Sequence, residues 1–183
     1  MLRETLRKVA AGEALGAGEA ERALEEIMEG TINPAVTAAL LTALRVRGES
    51  VGEIVGFARA MRRFAQTVEA PKDVIDTCGT GGDAKDTINI STVAAFVARG
   101  AGVVVAKHGN RAATSQAGSA DVLEALGAEI GLGPKEVGRC IKEVGIGFMF
   151  ARTHHPAMRH IAPVRAELPF RTVFNLLGPL TNP

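Results

Sequence analysis

Three short stretches hold residues able to grip a multiply charged anion. Gly79-Thr80-Gly81-Gly82-Asp83 places three glycines within four positions, and without Cβ atoms successive backbone N–H groups can converge on one oxyanion. Asn89-Ile90-Ser91-Thr92 supplies an amide and two hydroxyls where a helix is expected to begin. A helix N-terminus carries unpaired N–H groups and about half a positive charge, which suits phosphate. Lys107-His108-Gly109-Asn110-Arg111 adds two permanent cations, followed by Ala112-Ala113-Thr114-Ser115 and the hydroxyl of Ser119. Taken alone, each has a plainer reading: a tight turn, an ordinary N-cap, a solvated basic turn. Together they describe a site for a ligand bearing several phosphates.

Rival chemistries fit less well. A Walker A loop opening at Gly79 needs Gly, Lys and Ser or Thr at 84–86, but the chain has Ala84-Lys85-Asp86, and an acid cannot replace the magnesium-binding hydroxyl. A dinucleotide fingerprint needs a helix directly after its glycines, whereas Asp83 to Asn89 intervene. His154, His155 and His160 lack the i, i+4 spacing of a helical zinc pair, and no Cys or carboxylate cluster flanks them. Cys78 and Ser91 have no assignable partners for a nucleophilic triad, and Glu25-Glu26 reads as a solvated helix face.

These stretches need a scaffold. The first 65 residues read as helices. Ala20, Ala23, Leu24, Ile27 and Met28 recur on one helical face that stops at Gly30. Asn33 followed by Pro34 opens a second helix closed by Gly48. Ser50 and Glu53 make a capping box for a third, with Val51, Ile54, Val55, Ala58 and Met61 as its apolar stripe. So short a unit cannot hide every stripe within itself, and the surplus is expected to meet another domain or subunit. From Pro71 the period changes. Val74–Cys78 reads as a buried strand running into the glycine loop, and a helix from about Ser91 to Arg99 follows. Val103–Ala106 reads as a second strand with Lys107–Arg111 as the loop beyond it. Ser119 is expected to cap a helix ending at Gly127, Pro134 opens another ending at Gly145, and Ile146–Phe150 is a further strand. Strands alternating with helices predict an α/β unit with a mainly parallel sheet, in which ligands bind beyond the strands' carboxyl ends. Both glycine-rich loops fall there. The expected division is a helical domain over residues 1–69 and an α/β domain over 70–183.

Composition narrows the setting. The 183 residues are 46% hydrophobic and 22% charged, with a formal net charge of +1, ordinary for a globular protein with a buried core. No long run of one charge and no Tyr or Trp is present, which argues against a polyanion tail or a single-strand nucleic-acid platform. Two cysteines, Cys78 and Cys140, in apolar surroundings read as reduced thiols. No signal-type segment and no run of about 18 apolar residues occurs, so a cytoplasmic protein making no membrane contact is expected.

Gly-Thr-Gly-Gly-Asp, Asn-Ile-Ser-Thr and Lys-His-Gly-Asn-Arg, in this order and spacing, resemble the anthranilate phosphoribosyltransferases. His155-Pro156-Ala157-Met158-Arg159-His160, Pro163-Val164-Arg165 and Phe174-Asn175-Leu176-Leu177-Gly178-Pro179-Leu180-Thr181-Asn182-Pro183 continue the match, so the resemblance covers essentially the whole chain. It implies a transferase of tryptophan biosynthesis that moves the phosphoribosyl group of phosphoribosyl pyrophosphate (PRPP) onto anthranilate. The implied PRPP residues are Gly79, Gly82, Asp83, Thr87, Asn89, Ile90, Ser91, Thr92, Lys107, His108, Gly109, Asn110, Arg111, Ala112, Ala113, Thr114, Ser115 and Ser119. Ser91 would also hold Mg2+, and Gly79, Asn110 and Arg165 would meet anthranilate. A guanidinium suits its carboxylate, donating two parallel hydrogen bonds. Such a reaction rests on charge stabilisation and alignment more than on a strong base; His108 is a candidate proton relay.

The family fold implied is a helical domain that forms a homodimer plus an α/β domain of the nucleoside phosphorylase and phosphoribosyltransferase type, with helices near 156–180 packing back on the helical domain. Arg152, where Pro is expected, and Pro169 depart from the family pattern. Family chains continue past Asn182-Pro183, with an acidic magnesium pair in that part, so the C-terminal part is expected to be missing and the chain alone to be inactive. A pyrimidine nucleoside phosphorylase, or a non-catalytic relative binding polyanions, are the alternatives.

Overall fold

Helix α1 spans Leu2–Ala10, α2 Ala17–Met28, α3 Pro34–Arg47 and α4 Val51–Arg63 in a computed structural model that describes residues 1–80, 88–112 and 117–183. The boundaries follow local chemistry. The Asn33 side chain accepts from Ala35 N at 2.8 Å, Pro34 supplies a preset φ at the first position, and Gly48 ends α3 at φ 90°. At α4 the capping box closes both ways: Glu53 N donates to Ser50 Oγ at 3.2 Å and Ser50 N to Glu53 Oε2 at 2.8 Å. The α2 stripe of Ala20, Ala23, Leu24, Ile27 and Met28 is buried throughout. Helix α2 approaches α4 so closely that a Cβ on Gly56 would collide with Ala17 O and the Ala20 side chain. A larger residue there would force the two helices apart.

Two compact units emerge. The first joins Met1–Ala65 with His155–Thr181. From the latter segment, short helical turns at Ala162–Glu167 and Phe174–Leu177 send Val164, Phe174 and Leu177 into the core built by Leu24, Leu40, Leu44 and Phe57. Glu53 is 0% exposed; it also accepts from Leu15 N at 2.9 Å and pairs with Arg47.

The second unit comprises Gln66–His154 and Asn182–Pro183. In it α5 spans Ile90–Gly100, β1 Val105–Gly109, α6 Ser119–Ala125, α7 Pro134–Val144 and β2 Ile146–Phe150. Strands β1 and β2 pair in parallel, with Val105 opposite Ile146 and Gly109 opposite Phe150. Parallel neighbours need a crossover, and α6 and α7 lie between them in the chain. Ala106, Val137, Ile141 and Met149 form one apolar cluster; Ala120, Leu123, Ile130 and Phe150 form another. Among the described residues no helix is long and apolar enough to cross a membrane.

Three expectations are corrected. The strand expected at Val74–Cys78 is a single parallel bridge, Ile75 to Val105. The strand expected at Val103–Ala106 begins at Val105 and runs through Lys107, His108 and Gly109, residues read above as loop. Residues Val105–His108 are all buried, so this strand accepts polar side chains because they are used inside the unit. Finally, Gly118, not Ser119, is the cap of α6; Ser119 is its first, buried residue.

Candidate functional site

Lys107 sits on β1 with 2% of its surface exposed. Its ammonium donates to Thr77 Oγ1 at 3.3 Å and to Ser91 Oγ at 3.2 Å, and no carboxylate pairs with it within 4.0 Å among the described residues. Burial pushes its pKa down, while the nearby Asp76 charge pulls it up. A buried ammonium held by two neutral hydroxyls is costly by itself. An arriving anion would offset that cost.

The hydroxyls are themselves fixed. Thr77 Oγ1 donates to Ser91 O at 2.7 Å. Ser91 Oγ donates to Asn89 Oδ1 at 3.1 Å, and the same oxygen accepts from Thr92 N at 3.1 Å, making Asn89 the N-cap of α5. Asn89 Nδ2 reaches Ala117 O at 3.3 Å. The Thr92 hydroxyl is buried and has no hydrogen-bond partner among the described residues. The cation on β1 thus meets the positive end of α5. Two sources of positive potential converge on one place.

Asp76 organises the other side. Its Oδ1 accepts from Cys78 N at 2.9 Å and His108 N at 3.1 Å, and its Oδ2 from Asn182 Nδ2 at 2.7 Å. Ligand atoms of Asp76, Cys78 and His108 lie within 4.8 Å of one another. Burial, then the Asp76 charge, push the Cys78 thiol up to about 11, with Lys107 opposing them. A protonated thiol beside a carboxylate already engaged by three donors is a poor metal ligand. Successive strand side chains leave on opposite faces, so His108, also buried, departs β1 on the other face from Lys107.

Beyond β1 the loop is shaped from within. The Arg111 guanidinium bonds Glu124 through two parallel contacts of 2.8 and 2.9 Å, bonds Asp121 at 3.0 Å, and lies 5.9 Å from the Phe150 ring centroid. Those two carboxylates hold its pKa above the ordinary arginine value. Asp121 Oδ2 accepts from Ala112 N at 2.8 Å and Gly118 N at 2.9 Å, closing the base of the loop. Gly118 has no room for a Cβ, which would strike the Arg111–Ala112 backbone. Asn110 is exposed; its Oδ1 accepts from Arg111 N at 2.8 Å and its carbonyl from Ala120 N at 3.2 Å.

Of the residues picked out in the sequence, Asn89, Ser91, Thr92 and Lys107 are therefore linked by direct hydrogen bonds. Ile90 opens α5 and is exposed, as is Gly79, while Gly109, Asn110, Arg111, Ala112 and Ser119 form the end of β1, the loop and the start of α6. Gly82, Asp83, Thr87, Ala113, Thr114 and Ser115 lie outside the described residues. Arg165 belongs to the helical unit, its guanidinium 5.3 Å from the Phe174 ring centroid and its pKa lowered by burial. Sequence reading missed Asp76, Thr77 and Asn182. A polar pair inside the apolar run Val74–Cys78 was the available signal for the first two.

Known proteins share this framework. The helical bundle domain model of the glycosyl transferase family matches residues 3–65, and the a/b domain model of that family matches residues 71–183. The anthranilate phosphoribosyltransferase of Rubrobacter xylanophilus is 82% identical over 183 residues, covering 100% of this chain and 54% of its own length. The solved structure of anthranilate phosphoribosyltransferase from Thermus thermophilus is similar at a TM-score of 0.91 and 55% identity, covering 97% of this chain and 54% of that one. The enzyme from Saccharomyces cerevisiae in complex with PRPP and Mg is similar at a TM-score of 0.89 and 32% identity, covering 99% and 55%. The chain spans about half the length of the curated relatives it matches.

Proposed function

The chain belongs to the glycosyl transferase family of these helical bundle and a/b domains, and from that premise we propose that the protein carrying it transfers the phosphoribosyl group of PRPP to anthranilate, releasing pyrophosphate. The observation that carries the reading is Lys107, 2% exposed and bonded to the hydroxyls of Thr77 and of Ser91, the latter at the N-terminus of α5. That arrangement suits an anion of high charge density, and pyrophosphate is one. As the bond from the anomeric carbon to pyrophosphate lengthens, negative charge grows on the leaving group. Lys107, already fixed by Thr77 and Ser91, needs no reorganisation to answer it. The exposed Gly79 backbone would supply an N–H donor to the same ligand. Arg165 is proposed for the anthranilate carboxylate, because its guanidinium has no carboxylate partner within 4.0 Å among the described residues.

Ser91 would supply one oxygen to magnesium. A hydroxyl has one donor and two acceptor sites; Ser91 Oγ donates to Asn89 and accepts from Lys107, leaving one lone pair. Magnesium wants about six hard oxygens, so the rest would come from PRPP, water and the acidic pair that the resemblance places in the remaining part of family chains, and when bound it would neutralise charge on the pyrophosphate. A homodimer is proposed through the helical unit, on which Val46 and Val51 are 83% and 79% exposed. The test uses the complete gene product that carries this sequence. Calorimetric titration with PRPP and magnesium should show saturable binding, an oligonucleotide at moderate salt should show none, and anthranilate fluorescence should fall with turnover. Turnover of a pyrimidine nucleoside with inorganic phosphate, without anthranilate consumption, would overturn the assignment.

A further inference from the structure

On its edge away from β2, β1 meets the segment around Ile75 as one parallel strand meets another. Ile75 N donates to Val104 O at 3.0 Å, and Ala106 N donates to Ile75 O at 2.9 Å. Regular parallel pairing would continue at Thr77, its N–H meeting Ala106 O and its carbonyl meeting His108 N. Among the described residues Thr77 makes neither rung. Ala106 O accepts instead from Asn182 Nδ2 at 3.0 Å, and His108 N donates to Asp76 Oδ1 at 3.1 Å. The two substitutes are joined to each other, Asn182 Nδ2 donating to Asp76 Oδ2 at 2.7 Å.

We propose that Asp76 and Asn182 together stand in for the backbone of a strand residue, and that this side-chain splice is what aims Thr77 and the start of the glycine loop at the phosphate site. Both are positioning residues for the transfer, and the functional part of the inference rests on the PRPP reading above. The physical need is clear. Ala106 and His108 are buried, and leaving their backbone groups unpaired would carry the full desolvation cost of each. With those groups satisfied by side chains, the backbone leaves the sheet after Asp76. Thr77 then turns its hydroxyl to Ser91 O and to the Lys107 ammonium, and Cys78 N is held by Asp76 Oδ1 at 2.9 Å, one residue before Gly79.

The residue types fit the task and cannot be exchanged. Asp76 accepts from three N–H groups, which suits a carboxylate; an amide there would set its NH2 against that of Asn182. Asn182 must donate to both a carboxylate and a carbonyl, and an acid in its place would repel both.

The experiment uses the complete gene product with Asn182→Ala, Asp76→Asn, and the exchanged pair Asp76→Asn with Asn182→Asp. Amide hydrogen exchange is followed at His108 and Cys78 without ligand, and PRPP binding is measured by calorimetry with magnesium. Asn182→Ala should speed exchange at both amides and raise the PRPP Kd by about tenfold, the scale of one lost hydrogen bond, with unchanged far-UV circular dichroism. The exchanged pair should not restore either quantity. Unchanged amide protection in Asn182→Ala, or wild-type behaviour of the exchanged pair, would overturn the splice. A lowered Tm with an unchanged Kd would overturn the positioning role. Should Asp76→Asn fail to fold, the half-buried Asn182 variant still decides. Absence of PRPP binding by the unaltered protein would sink the functional reading, and exchange at His108 and Cys78 would still judge the splice.

Discussion

Each unit buries a charge, and it does so in opposite ways. In the helical unit Glu53, 0% exposed, accepts from Leu15 N and Ser50 N and pairs with Arg47. Burial alone would raise its pKa, yet Arg47 and those N–H groups hold it below the usual carboxylate range. In the α/β unit Lys107, 2% exposed, has two hydroxyls and no carboxylate within 4.0 Å among the described residues, and burial drives its pKa down. A buried charge answered from within is a strut between elements. One left on neutral partners is poised for a ligand of opposite sign. The arginines divide the same way: Arg111 is closed onto Glu124 and Asp121, while Arg165 has a ring face and, among the described residues, no such carboxylate.

The largest expected effect follows from breaking the strut. Glu53→Ala leaves Arg47 and the Leu15 and Ser50 N–H groups without their acceptor and should cost about 3–5 kcal/mol of stability in denaturant titration, with PRPP affinity unchanged. The pH dependence has a defined sign. A carboxylate with a depressed folded pKa contributes stability above its unfolded pKa and loses it as pH falls through the folded value. Acid unfolding should therefore be shallower in Glu53→Gln than in the unaltered protein.

Arg165→Ala should come next. Losing a charge-assisted bidentate contact should cost about 2–3 kcal/mol in kcat/KM for anthranilate while leaving the KM for PRPP nearly constant. Equal loss toward both substrates would place Arg165 with the struts. The smallest change is Asn33→Ala, which removes the acceptor for Ala35 N. It should lower stability by about 1 kcal/mol and alter neither substrate constant, as thermal unfolding and steady-state kinetics would show.

The comparison also shows which features a sequence discloses. Local signals were legible: the α2 stripe, Asn33-Pro34, the Ser50 and Glu53 box, and α7 from Pro134 to the left-handed Gly145 are all present. Strand β2 was legible as an apolar run. The hydrogen-bonded set of Asn89, Ser91 and Lys107 was foreshadowed by residue types near strand and helix ends. What escaped depends on partners distant in the chain. Lys107, His108 and Gly109 resemble a loop until Thr77, Ser91 and Asp76 are seen around them. The apolar run Val74–Cys78 predicts a strand, yet Asn182, 106 residues beyond Asp76, takes over part of its ladder. Arg111 looked like an open cation because its closure onto Asp121 and Glu124 needs α6 folded beside it.

The central claim is that Lys107 is buried for its ligand and not for the fold, and Lys107→Met tests it most directly. Thermal unfolding is followed with and without PRPP and magnesium in the complete gene product. Without ligand, replacing a buried ammonium by an apolar side chain of similar volume should leave Tm equal or higher. A lysine whose folded pKa is lowered binds fewer protons than in the unfolded chain, so the unaltered protein should gain stability as pH rises through that range, and the variant should lose this gain. With ligand, the Tm increase seen in the unaltered protein should nearly vanish, because a Kd weakened on the order of a hundredfold removes about 2.7 kcal/mol of linked stabilisation. A variant that unfolds at a lower temperature without ligand, yet keeps the full ligand-induced shift, would show Lys107 to be a strut and contradict the account.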